Sequence, residues 1–345
     1  MNIKQSMNIK ELFMNHLFLY DISSIDDAFR DYILNRLLPQ IGLKTSECTM
    51  EIPLMGLKSC IRFLKGPEGR GYAVRALGKR QIKEAHQLKA ASDLLERHRI
   101  PSPRLIDFAE KYSSRGVTFV TEEYLNTINW EHLEPTAALS RGVGKLLARL
   151  HKAESDHWGS IIAPSRGSFG SSQFQWVKNR VHGIRKFPKS RISRSEFRRV
   201  LDWFEKYQSR LDGLRRFQLI HNKINRGNVL YSPESGELFL VDFATLQYGY
   251  RGKDLTRTEY ALLKNDKNLI REFHDEYFTC FPPGTREEFE RLSPFYQAYH
   301  HLSTSATNIR RDHAICSRNL SSHPNLYNIS LHHWKILLQI IENEK

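Results

Sequence analysis

The passage with the most chemistry in it is HNKINRGNVLY, from His221 to Tyr231, followed by LFLVDFA, from Leu238 to Ala244. Moving a phosphoryl group onto a hydroxyl takes a carboxylate that receives the hydroxyl proton. It also takes an Asn and an Asp that hold the magnesium ions bridging the phosphates. Asn228 and Asp242 stand in that order, each beside a short apolar run, VLY and LFLV. A single Asp after an apolar strand is more often a turn residue than a metal ligand, so the pair draws its weight from its companions. Upstream, GLKS from Gly56 to Ser59 offers short side chains that let backbone N–H groups approach phosphates. An ordinary hairpin turn explains that tetrapeptide equally well.

These groups need elements to position them. Cys60–Leu64 and Tyr72–Leu77 are strand-like runs flanking KGPEGRG, a turn cluster at Lys65–Gly71, and together they read as a hairpin. Ile82, Ala85, Leu88, Ala91 and Leu95 recur at helical spacing. That helix must stop before IPSP at Ile100–Pro103, because residues preceding proline leave the helical region. Val117–Leu125 alternates like a further strand. Beyond it the character turns helical: Leu139, Val143, Leu146, Leu147 and Leu150 form an apolar stripe ending near His151. A basic stretch, a strand–loop–strand passage over Leu219–Phe243 and a mostly helical C-terminal part complete the chain. The expected fold class is α+β, with a strand-rich N-terminal lobe over 1–125 and a mainly helical C-terminal lobe over 126–345.

In this order the residues resemble the aminoglycoside phosphotransferase/choline kinase family, which has a bilobal protein kinase-like fold. That family's loop reads His-Gly-Asp, four residues, then Asn; here His221, Asn222 and Lys223 precede Asn228 by the same spacing. The family's metal motif is Asp-Phe or Asp-Trp after an apolar strand, matched by Asp242-Phe243. Gly249 and the Asp254-Leu255 pair follow as the family's downstream glycine and Asp-Leu do. IPSPR at Ile100–Arg104 and GKLLARLH at Gly144–His151 resemble two further family segments. About 70 residues separate His151 from His221, the aminoglycoside/choline kinase arrangement rather than that of protein kinases. The resemblance covers about residues 50 to 260. It implies ATP and Mg²⁺ as cofactors, with Asn228 and Asp242 as metal ligands. It implies Arg75 on the phosphates, Glu84 on the next helix, Gly56 and Ser59 over the phosphates, and Glu123 to Leu125 as the linker beside the nucleotide. His221 takes a structural role in the loop.

The departure falls on the catalytic residue, where the family keeps Asp and this chain has Lys223. Lysine, with a reference pKa of about 10.4, is a cation at neutral pH without a lone pair to accept a proton. General-base help is worth about 10²–10⁴-fold, yet positioning and electrostatics carry most of phosphoryl transfer. Two readings follow. One is a nucleotide-binding, catalytically impaired, pseudokinase-like protein, in which the ammonium pairs with Asp242 or replaces a metal ion. The other is an active phosphotransferase for a small anionic hydroxyl compound.

Charge bears on the partner. The chain carries 52 − 38 = +14, and residues 178–216 alone carry 13 − 4 = +9. Lys178, Arg180, Arg185, Arg194, Arg198 and Arg199 are interleaved there with Trp176, Phe187, Phe197, Trp203 and Tyr207. A basic wall repels cationic antibiotics and choline. An anionic small molecule, an anionic lipid or a polyanion suits it better; nucleic acid has no recognisable binding module to support it. Equally, the aromatics fit as core positions of amphipathic helices with a basic wet face. Four scattered cysteines, Cys48, Cys60, Cys280 and Cys316, make no CxxC pair, which argues against zinc and a disulfide framework. The apolar stretch Leu12–Tyr20 is interrupted by Asn15 and His16 and falls short of the roughly 20 residues of a membrane span. A cytoplasmic protein with no transmembrane segment is expected.

Overall fold

The computed structural model describes residues 22–51, 60–112, 116–186, 192–316 and 324–344. The chain forms two compact units, Met1–Leu133 with Gly227–Thr245, and Glu134–Arg226 with Leu246–Lys345.

The first unit is built on a five-stranded antiparallel sheet in the order β1–β2–β3–β5–β4. Its strands are β1 (Thr49–Glu51), β2 (Cys60–Lys65), β3 (Gly71–Leu77), β4 (Leu105–Ala109) and β5 (Thr118–Glu123). The hairpin read from sequence is present: β2 and β3 pair from Cys60↔Ala76 to Lys65↔Gly71. Gly69, at φ +75°, supplies the left-handed residue that its tight connection requires. Along β3, Val74 and Ala76 are buried while Arg75 between them is only half-buried, because successive side chains alternate between faces. Helix α2 (Ile82–Arg97) buries Ala85, Leu88, Ala91 and Leu95, the stripe that its spacing predicts.

An earlier helix, α1 (Ile22–Tyr32), continues in helical turns to Ile41. Phe29, Tyr32, Ile33 and Leu37 from this run pack with Leu64, Val74 and Phe119 of the sheet. Asp107, buried on β4, accepts a hydrogen bond from Tyr32 Oη at 2.8 Å and two from Arg36, at 2.8 and 2.9 Å. A buried carboxylate is tolerable only when paired in this way. The unit also holds a small sheet in the order β12–β11–β6, made of β6 (Ile128–Asn129), β11 (Val229–Tyr231) and β12 (Leu238–Leu240).

The second unit is mainly helical. Helix α3 (Ala137–His151) starts at Thr136, whose side chain accepts from the Leu139 amide at 3.2 Å. Its stripe Val143, Leu146, Leu147 and Leu150 is buried. Helices α4 (Phe169–Arg185), α5 (Arg194–Lys206), α6 (Gln208–Asp212), α7 (Gly252–Ala261), α8 (Lys267–Phe278), α9 (Thr285–Cys316) and α10 (Pro324–Asn343) follow. Among them run the short strands β7 (Glu154–Ser155), β8 (Trp158–Ser160), β9 (Ala163–Ser165), β10 (Phe217–Ile220) and β13 (Gln247–Gly249), in the sheet order β7–β10–β13–β8–β9. Phe197, Trp203 and Tyr207 are buried in the helical core with Phe295, Tyr299 and Trp334. They are therefore core residues, and Phe187 lies outside the described residues. The α+β class expected from sequence, an antiparallel-sheet N-terminal region followed by a helical C-terminal region, is what the chain adopts. Among the described residues, no helix is long and apolar enough to cross a membrane.

Candidate active site

In the first unit, β3 presents Arg75 and the first turn of α2 presents Glu84, with Arg75 Nη1 4.0 Å from Glu84 Oε1. Strands β11 and β12 pair antiparallel from Val229↔Leu240 to Tyr231↔Leu238. Beyond that register the Val241 amide donates to the Asn228 carbonyl at 3.1 Å. The hairpin thus brings Asn228 and Asp242 side by side at its open end. Asp242 sits at φ +65°, a left-handed conformation costly for most residues and tolerated best by Gly, Asn and Asp. The same unit supplies a residue that sequence reading missed, Glu122 on β5. Burial pushes its carboxyl up; Arg75 opposes that rise and Asp242 adds to it. Arg75, Glu84, Glu122 and Asp242 therefore form one charged cluster.

At the linker, the Glu123 amide donates to the Arg104 carbonyl at 2.9 Å, and the Glu123 carboxylate lies 3.4 Å from Arg104 Nε. The Leu125 carbonyl accepts from Thr127 Oγ1 at 3.2 Å. Gly56 and Ser59 lie outside the described residues. One carboxylate and one amide oxygen, from Asp242 and Asn228, are hard donors that suit magnesium. Magnesium commonly takes its remaining ligands from phosphates and water. Among the described residues there is no group of three or more His, Cys, Asp or Glu able to hold a metal by itself.

In the second unit, β10 leads into His221, Asn222 and Lys223. Asp254, fully buried near the start of α7, holds this loop. Its Oδ2 accepts the His221 amide at 2.6 Å, and its Oδ1 accepts the Asn222 amide at 2.9 Å. His151, at the end of α3, places Nε2 3.5 Å from the same carboxylate and Nδ1 2.8 Å from Tyr277 Oη. Burial alone would push the Asp254 carboxyl up, but His151 and the His221 amide hold it below the ordinary carboxylate range. Burial lowers His151 in turn, against the pull of Asp254. Asn222 takes φ +66°, a conformation that Asn tolerates better than most residues. The Lys223 carbonyl accepts from Asn225 Nδ2 at 3.0 Å, and the Lys223 side chain is half-buried.

A cavity of about 220 Å³ opens beside Asn222, lined also by Arg180, Lys253, Arg257 and His300. Lys253 and Arg257 are four apart on α7, which places them on one helical face. Sequence reading singled out neither. That spacing, directly after Arg251, was the available signal.

A sequence model of the phosphotransferase enzyme family matches residues 62–277. The chain belongs to that family. No curated protein matches it in sequence. Solved structures share its protein kinase-like fold at low identity. The choline kinase of Streptococcus pneumoniae is 15% identical, with TM-score 0.58 over 92% of this chain and 99% of its own. The ethanolamine kinase of Plasmodium vivax is 15% identical, with TM-score 0.57 over 85% of this chain and 83% of its own. A spectinomycin phosphotransferase solved with ADP and spectinomycin is 15% identical, with TM-score 0.55 over 85% and 92%.

Proposed function

We propose that the chain binds ATP through Arg75, Asn228 and Asp242, and that Lys223 deprives it of the carboxylate base of phosphoryl transfer, making it pseudokinase-like. The observation that supports this reading is a loop held in place by Asp254 through two short backbone hydrogen bonds, in which Lys223 stands where the sequence resemblance expects the base. Arg75 sets positive charge against the phosphates, and Glu84, 4.0 Å away, orients it. Asn228 and Asp242 would hold magnesium, which neutralises charge on the phosphates when bound. An ammonium at position 223 cannot receive the hydroxyl proton.

Losing a general base costs about 10²–10⁴-fold. A Lys223→Asp variant is therefore expected to gain ATP turnover of that order over the parent. Turnover in the parent that falls in Lys223→Asp would sink the pseudokinase reading.

A second reading is active transfer onto a hydroxyl of a small anionic substrate. It is supported by the cavity beside Asn222, which three cationic side chains line and no carboxylate does. Parent turnover that vanishes in Asp242→Ala would favour it.

A further inference from the structure

Two basic concavities lie among the described residues of the helical unit. The larger, of about 610 Å³, lies along α5 and α10, with Arg194, Arg198, Arg199 and Arg210 on its walls. Asp202 and Glu344 are interleaved with them, and Arg199 is bonded to Glu342 at 2.9 Å. Arg194, Arg198, Lys206 and Arg210 are exposed there, as on an ordinary solvated helix face.

The smaller cavity differs. Arg180, Lys253 and Arg257 converge on it from α4 and α7, and none forms an ion pair among the described residues. Lys253 Nζ donates to Tyr299 Oη at 3.2 Å, and Arg257 Nη1 donates to the Asn222 carbonyl at 3.3 Å. Arg257 Nε is buried without an acceptor. The Arg180 guanidinium lies over the Trp176 ring, 4.8 Å from its centroid. Asp254 is the one carboxylate acting on Lys253 and Arg257, and its oxygens are committed to the His221 and Asn222 amides. Burial and the neighbouring Arg257 and Arg180 bring Lys253 down to about 8. His300, lowered to about 3 by burial and by His301 and Arg257, is neutral at pH 7 and adds a hydrogen-bonding group without charge. Ser303 and Thr304 complete the wall.

A cluster of like charges with an unmet donor is stabilised when an anion completes it. Guanidinium forks match phosphate oxygens in geometry. A cavity of about 220 Å³, below the usual 300–1,000 Å³ of a drug-sized ligand site, matches a small phosphorylated molecule in size. We propose that Arg180, Lys253 and Arg257 bind the phosphate of a small soluble phosphate monoester, which is the substrate-side ligand of this protein. The assignment rests on reading the helical unit as the substrate half of a phosphotransferase.

The test is calorimetric titration of the full chain with inorganic phosphate and with glycerol 3-phosphate. Both should bind, and Arg180→Met and Lys253→Met should each weaken binding at least tenfold. Two variants on different helices guard against one failing to fold. Arg198→Met, on the larger concavity, should leave phosphate binding unchanged. The proposal is overturned if neither probe binds, if binding survives both Met variants, or if Arg75→Met alone abolishes it, which would put the phosphate in the nucleotide half. Binding to phosphatidic acid vesicles with none to glycerol 3-phosphate would also overturn it, by assigning the cavity to a lipid. ATP binding is measured on the same samples, so failure of the nucleotide reading is seen separately from failure of this one.

Discussion

Asp254 is the residue on which the loop depends. Its carboxylate meets two backbone N–H groups and faces His151, all buried. Asp254→Ala would strand both donors at about 1–3 kcal/mol each, so a loss of about 3 kcal/mol or more is expected in urea unfolding at pH 7. A loss below about 1 kcal/mol would show that water replaces the carboxylate freely. The sign of the pH dependence follows from its lowered pKa. Its stabilisation is present above the unfolded value of about 3.9 and lost as pH falls through the folded one. In the variant that acid-dependent part should be missing. The Asp-Leu pair at 254–255 was legible as a family match, yet its role was not. The bonds it makes span 33 and 32 residues, and no local pattern records them. Glu122 was illegible for a similar reason, since it and its neighbours Arg75 and Asp242 come from three different parts of the chain.

Among the elements, those with strong periodicity were readable. The apolar stripes of α2 and α3 and the β2–β3 hairpin appear where their spacing puts them. Two- and three-residue strands such as β6 to β9 are too short to carry a period of two, and pairing rather than propensity makes them. Helix packing adds a constraint at Gly144. A Cβ there would lie 2.8 Å from the Phe273 carbonyl oxygen and 3.2 Å from Glu276 Cβ, so α3 and α8 approach too closely for any side chain. Alanine's helix propensity would favour Gly144→Ala by about 1 kcal/mol; overpacking of this kind costs about 1–3 kcal/mol. The variant is expected to melt lower than the parent. A higher melting temperature would mean that the helices separate at little cost.

At the scale of the molecule, sequence reading divides the chain once. The compact unit that contains the sheet also takes in Gly227–Thr245, because β11 pairs with β6 across about 100 residues (Leu230↔Asn129). Asn228 and Asp242 thereby belong with Arg75 and Glu84, the residues to which the nucleotide reading ties them, while Lys223 stays with the helical unit. The net charge of +14 was legible as a sign without a place. Core aromatics account for much of the interleaving in residues 178–216, and Arg180 from that stretch meets Lys253 and Arg257 of α7 at the smaller cavity. The nucleotide reading is tested most directly by titrating the parent and Asp242→Ala with ATP, with and without Mg²⁺, following thermal stability. A ligand that binds only the folded state raises apparent stability by RT ln(1 + [L]/Kd). The parent should be stabilised by ATP in a magnesium-dependent way, and Asp242→Ala should lose at least tenfold in affinity. No stabilisation of the parent, or an equal response in Asp242→Ala, would contradict it.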